Sequence, residues 1–217
     1  MRGLLFTGGS RPDMRHARRF FGEPDAVYAA DSGIAGAFEA GFTPDYVVGD
    51  MDSIEDPAIL GSFDPERVLR ADRDKDLTDT ELALSLMRQH GMEDIVLIGG
   101  GGGRMDHFFA LEKLFSLDNP PQLWIGSETI AFVLDTTGSR ERITVRGLTC
   151  ESVSVFPAGN GPHRCTARGL KWPVDSLDWD TGAYSLSNRA VHGRFTLEAE
   201  AGRFLVILPL DGAWVPD

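Results

Sequence analysis

Apolar residues in the first half of the chain come in short, nearly unbroken runs. GLLFTGG (3–9), DAVYAADSG (25–33), YVVGD (46–50), RVLRA (67–71), IVLIGG (95–100) and QLWIG (122–126) each hold two or more consecutive apolar positions, most of them with Gly, Asp or Pro close by. Runs of this length without polar alternation predict strands covered on both faces, and the stretches between several of them have helical character. An Arg-rich helical stretch follows Pro12, and a short one covers IAGAFEA. Thr78 to Glu81 is a T-x-x-E capping box ahead of LALSLM, with Gly91 at the expected stop. Asp106 opens HFFALEKLF, placing an acid at the positive end of that helix dipole. The predicted architecture is an α/β domain over residues 1–127 with a mostly parallel sheet.

Beyond residue 127 the pattern changes. TIAFVL, RITVRG, SVSVFPAG, RFTLEAEAG and RFLVILPL alternate or run apolar between Gly, Pro, Asn and Asp, with no helical period. They predict an all-β sandwich over 128–217, with RFTLEAEAGRFLVILPL as a hairpin turning near Ala201–Gly202.

Composition narrows the functional classes. Hydrophobic residues are 42% and charged residues 25% of the 217, which is ordinary for a folded globular protein. Lys and Arg number 21 against 33 Asp and Glu, a formal charge of −12, which disfavours nucleic acids and anionic membrane surfaces as partners. GLLF is too short for a signal peptide core, no stretch approaches a membrane span, and the two cysteines, Cys150 and Cys165, form no CxxC or metal-ligand pattern. The expectation is a cytoplasmic protein with buried or free thiols.

The acids supply the candidate chemistry. Asp31 follows VYAA, Asp50 and Asp52 follow YVVG, the acidic run from Asp72 follows RVLRA, and Arg104 with Asp106 follows the glycines after IVLI. Each group lies at the carboxyl end of a predicted strand, and in an open parallel sheet those ends share the edge where ligands bind. Taken singly, each reads as a solvated turn. Four on one edge read as a metal–phosphate site. In extended backbone Asp50 and Asp52 would face the same way, as ligands to a hard cation such as Mg²⁺ must. Glycines 99–103 form neither a P-loop nor a G-x-G-x-x-G fingerprint, yet they leave backbone N–H groups open to phosphate oxygens, with Arg104 adding a guanidinium fork.

These segments resemble a known family. ADSG (30–33), PDYVVGDMDS (44–53), DKDLTDTELAL (74–84) and GGRMDH (102–107) are similar, in order, to the motifs of thiamine pyrophosphokinases. RGLKWPV (168–174) and SLSN (185–188) resemble that family's β-domain motifs; Ser32 departs from the glycine common at its position. The resemblance implies a homodimer with active sites at the subunit interface, transferring pyrophosphate from ATP to the hydroxyethyl group of thiamine with Mg²⁺. Under it, Asp50, Asp52 and Asp76 are the metal ligands. Lys75 and Arg104 hold phosphate oxygens with help from the Thr78 hydroxyl. Asp79 or Asp106 orients the alcohol or takes its proton. Asp31, Ser32, Gly33, Gly102, Gly103 and His107 line the nucleotide side. Ser187 and Asn188 would bond the aminopyrimidine of thiamine, and Trp172 would stack on a ring.

Two other functions share much of this pattern. A pyrophosphokinase acting on a hydroxymethyl pterin would use a similar acidic core, and RGLKWPV with SLSN argues against it. A non-enzymatic divalent-cation or nucleotide-binding module would bind without turnover, and the complete motif set argues against that.

Overall fold

The structure is a computed structural model describing residues 1–54, 56–72, 76–138, 140–149 and 152–217. The chain divides into two compact units, residues 1–114 with 124–127, and residues 115–123 with 128–217.

In the first unit the apolar runs become strands β1 (Arg2–Phe6), β2 (Ala26–Ala30), β3 (Tyr46–Gly49), β4 (Val68–Arg70), β5 (Asp94–Ile98) and β6 (Leu123–Ile125), ordered β6-β5-β1-β2-β3-β4. The pairs β5–β1, β1–β2, β2–β3 and β3–β4 are all parallel. Leu4, Leu5, Ala29, Val47, Ile95 and Leu97 are fully buried, as residues of a sheet covered on both faces must be. The helices are α1 (Met14–Ala17), α2 (Gly33–Glu39), α3 (Asp79–Gln89) and α4 (Met105–Lys113).

α3 shows how sequence fixes an element. Its buried residues Thr80, Ala83, Leu84 and Met87 fall at helical spacing on one face, and both halves of the Thr78–Glu81 capping box form. The box satisfies N–H groups that the first turn leaves without partners, and it begins the helix at Asp79. α2 starts against β1: a Cβ on Gly33 would come within 2.2 Å of Phe6 O, so only glycine allows this approach.

The second unit is an antiparallel sandwich. One sheet has the order β11-β9-β13-β7, with β7 Thr129–Asp135, β9 Val153–Ala158, β11 Ser185–Asn188 and β13 Arg203–Pro209. The other has the order β10-β12-β8-β14, with β8 Arg142–Arg146, β10 Arg164–Arg168, β12 Arg194–Ala201 and β14 Val215–Pro216. Phe195, Phe204 and Trp214 fill its core.

The hairpin expected at Ala201–Gly202 is corrected here. β12 and β13 are consecutive but belong to different sheets, so Gly202 makes a corner between layers. Both strands alternate or run apolar because each faces the same core, and such patterning cannot distinguish a hairpin from a change of sheet. Arg203, at this corner, donates to Asp135 at 2.5 Å and to the carbonyls of Phe115 and Leu117 at 2.7 and 2.6 Å. It thereby ties residues 115–117 into the second unit.

Candidate active site

A cleft of about 450 Å³ opens at the carboxyl ends of the strands in the first unit. Thr7, Gly8 and Gly9 after β1, Asp31 and Ser32 after β2, and Asp50 and Ser53 after β3 line it. Thr78, Asp79 and Thr80 at the start of α3, and Gly101–Arg104 with His107 before and within α4, complete the walls.

Three carboxylates meet in it. Asp31, Asp50 and Asp79 each offer an oxygen within 4.8 Å of the other two. Two ionised carboxylates at that distance repel by roughly 3 kcal/mol at an effective dielectric near 20. Asp31 sits at a left-handed backbone position, φ 46°, held by its N–H donating to Val48 O at 2.9 Å. Its Oδ1 is buried without a hydrogen-bond partner among the described residues. Burial pushes the Asp31 carboxyl up from its ordinary value, hydrogen bonds from Ser53 and the Ser32 backbone partly offset this, and the charges of Asp79 and Asp50 add to it. A divalent cation fits such a donor set, because hard oxygen ligands suit it and its charge turns the mutual repulsion into attraction.

The geometry differs from the extended one expected for Asp50 and Asp52. Met51 has φ 66°, so the chain turns after β3 and the two side chains do not share one face. Asp50 lines the cleft, while Asp52 is exposed, accepts from Ser53 Oγ at 2.9 Å, and donates its backbone N–H to Asp50 Oδ1 at 3.1 Å. Asp76 is exposed and lies outside the cluster. Asp31, expected only on the nucleotide side, is the third member instead. Its one legible signal is its place directly after a buried parallel strand. Lys75 lies outside the described residues.

Another part of the lining is backbone. Gly99, Gly100, Gly101 and Gly102 all have positive φ, between 69° and 98°, a succession that L side chains rarely adopt. This loop packs directly on the one after β1: a Cβ on Gly9 would lie 2.6 Å from Gly101 O, and Ser10 N–H donates to Gly101 O at 3.2 Å. Gly8, Gly9, Gly101, Gly102 and Gly103 thus present main chain and little else to the cleft. The loop Gly8–Gly9 escaped the sequence reading, where those glycines appeared only as the end of a strand.

Arg104 precedes α4 and forks onto Asp106, Nε donating to Oδ1 at 3.1 Å with a second bond from Nη2 to Oδ2. The Arg104 bond holds the Asp106 carboxyl down at about 2. Arg104 and His107 line the cleft; Asp106 and Gly33 do not. The Thr78 hydroxyl donates to Glu81 at 2.8 Å and accepts from the Glu81 N–H, so the capping box already engages it.

In the second unit, Trp172 is 48% exposed with Lys171 Nζ 4.7 Å from its ring centre, and Ser187 is exposed at φ 54°. Asn188 is buried. Its Oδ1 accepts from the N–H groups of Trp172 and Arg189, and its Nδ2 donates to Trp172 O and Ser185 Oγ. Those bonds use the whole capacity of the side chain and fix the Trp172 segment. Cys165 is a buried thiol, which burial pushes up to about 12, so it is inert; Cys150 lies outside the described residues.

Fold and cleft define a class: a parallel α/β unit with an acid-lined, glycine-walled crevice at its strand ends, followed by an antiparallel sandwich. Residues 17–122 match the family profile "Thiamin pyrophosphokinase, catalytic domain", and residues 140–203 match "Thiamin pyrophosphokinase, vitamin B1 binding domain". A curated thiamine pyrophosphokinase of Bacillus subtilis (strain 168) is 25% identical over 219 residues, covering 95% of this chain and 98% of the relative. The Bacillus subtilis thiamine pyrophosphokinase crystal structure superposes with TM-score 0.75 at 22% identity, covering 97% of this chain and 100% of the other. That from Geobacillus thermodenitrificans gives 0.69 at 26% identity, covering 97% and 98%. The chain belongs to the thiamine pyrophosphokinase family.

Proposed function

We propose that this protein transfers the pyrophosphoryl group of ATP to the hydroxyl of thiamine, giving thiamine diphosphate and AMP. Family membership supports the reaction, and one observation carries the site: three carboxylates and a run of glycine main chain line one cleft. The thiamine hydroxyl oxygen attacks the β-phosphorus as a carboxylate of the cleft takes its proton, the bridge to the α-phosphorus breaks, and AMP departs with the bridging oxygen. Negative charge must be neutralised on several oxygens at once, so catalysis consists mainly of positioning and electrostatic stabilisation.

The divalent ion of this reaction is Mg²⁺ in our reading, and when bound it would supply charge neutralisation on the polyphosphate oxygens. Asp31, Asp50 and Asp79 would hold it. Asp52 and Asp76, exposed on the adjoining segments, are assigned as further ligands once the nucleotide is bound. Gly101–Gly103 and Arg104 bind phosphate oxygens, Asp106 orients the Arg104 guanidinium, and Lys75 is assigned to phosphate from the motif alone. Ser32 and His107 face the nucleotide. Trp172 stacks on thiamine with Ser187 beside it, and Asn188 shapes that surface through its bonds to Trp172.

A homodimer with active sites at the subunit interface belongs to the same reading. The exposed apolar side chains Trp172, Tyr184 and Leu186, at 48%, 55% and 62%, support it, and solution mass tests it. Among the described residues no helix is long and apolar enough to cross a membrane; we assign the protein to the cytoplasm. Incubation with ATP, Mg²⁺ and thiamine should release AMP and no ADP. Release only with a pterin alcohol would move the assignment to that substrate.

A further inference from the structure

The reaction proposed above requires the carboxylate wall and the glycine wall to keep one spacing, and a buried side-chain contact links them. Thr7 follows β1 and directly precedes Gly8–Gly9, with its N–H donating to Ile98 O at 2.9 Å, so it is fixed to the sheet. Thr80 lies in the first turn of α3, next to Asp79. The two hydroxyl oxygens are 2.8 Å apart across a sequence separation of 73 residues. Both residues are buried, 8% and 7% exposed, and both line the cleft.

A bond between two hydroxyls uses one of their two hydrogens. Among the described residues neither side chain has another hydrogen-bond partner, so one O–H remains for a group in the cleft. We propose that the Thr7–Thr80 pair positions the polyphosphate. It locks the Asp79 wall to the Gly8–Gly9 wall, and it gives its remaining hydrogen to a phosphate oxygen. The pair binds phosphate through that hydrogen and also sets the spacing of the groups around it. The inference rests on the pyrophosphoryl-transfer reading.

The test uses Thr7→Val and Thr80→Val, which keep shape and remove the hydroxyl, with Thr7→Ser and Thr80→Ser as variants that retain it. Mn²⁺ binding in the presence of α,β-methylene ATP, followed by electron paramagnetic resonance, is read beside steady-state AMP release. Each valine variant should weaken Mn²⁺–nucleotide binding by about five- to tenfold, the scale of one net hydrogen bond. It should lower kcat more than it raises the KM for thiamine, and serine should restore both. The double valine variant should be no worse than either single one, because the two residues act as a unit. Valine variants with unchanged Mn²⁺ affinity and kcat, or effects that simply add, would overturn the inference. Should Thr80→Val not fold, Thr7→Val carries the same test from the β1 side. A wild-type protein that releases no AMP with thiamine would defeat the assigned reaction, while the Mn²⁺–nucleotide arm still judges the threonine pair alone.

Discussion

Gly49 and Asp79 are so close that a side chain at position 49 would crowd the carboxylate. A Cβ at position 49 would lie 3.0 Å from Asp79 Cγ and 3.2 Å from Asp31 Cβ, and Gly49 has φ 149°. The absent side chain at the end of β3 is what lets carboxylates from β2, β3 and α3 converge. Gly49→Ala should therefore destabilise the protein by about 1–3 kcal/mol through backbone strain and crowding. It should weaken divalent-ion binding as well, measured by calorimetry beside thermal unfolding.

Asp31→Asn should separate stability from function. Burial raises the Asp31 pKa, so the metal-free fold holds a stabilising increment below the unfolded value of about 4 and loses it as pH rises through the folded value. The asparagine variant carries no such pH dependence. Without metal its thermal midpoint should exceed that of the wild type at pH 7–8, and the gap should close towards pH 4. Saturating Mg²⁺ should reverse the order, since the ion stabilises only a fold that binds it.

Asp106 should leave the acid limb of the pH–rate profile where it is. Arg104 depresses its pKa to about 2, so its contribution is present above the unfolded carboxylate value of about 4 and is lost only as pH falls through about 2. Between pH 5 and 9 its charge is constant. Asp106→Asn should lower kcat, by releasing the Arg104 fork from its orientation, without moving the apparent pKa values. A shift of the acid limb would give Asp106 the proton-transfer role instead.

Trp172 and Asn188 should fail in different ways. Trp172→Ala should raise the KM for thiamine by about tenfold with stability little changed, because an exposed ring that stacks on a cation contributes binding more than folding. Asn188→Ala strands part-buried backbone groups of Trp172 and should cost about 1–3 kcal/mol of stability. Thermal unfolding beside thiamine saturation curves distinguishes them.

How much of this could be read from the sequence depends on how local the cause is. The parallel strands were legible because burial on both faces leaves a continuous apolar run, and α3 was legible because Thr78 and Glu81 form a reciprocal cap. Residues at strand ends could be assigned to one edge for the same reason. Which carboxylates touch was not legible. Met51 turns the backbone by adopting a left-handed conformation with no sequence mark, and that turn leaves Asp52 exposed while Asp50 joins Asp31. The Gly202 corner was hidden because a strand facing a sandwich core has the same alternation in either sheet. The Thr7–Thr80 contact joins residues whose proximity exists only once the sheet is assembled.

The central claim is that Asp31, Asp50 and Asp79 hold the metal of a nucleotide whose phosphates lie along the glycine wall. An anomalous-difference map from crystals grown with Mn²⁺ and α,β-methylene ATP tests it most directly. The account predicts a peak among those three carboxylates, with phosphate density running to Gly101–Arg104. A metal peak elsewhere, with nucleotide bound away from this cleft, would contradict it.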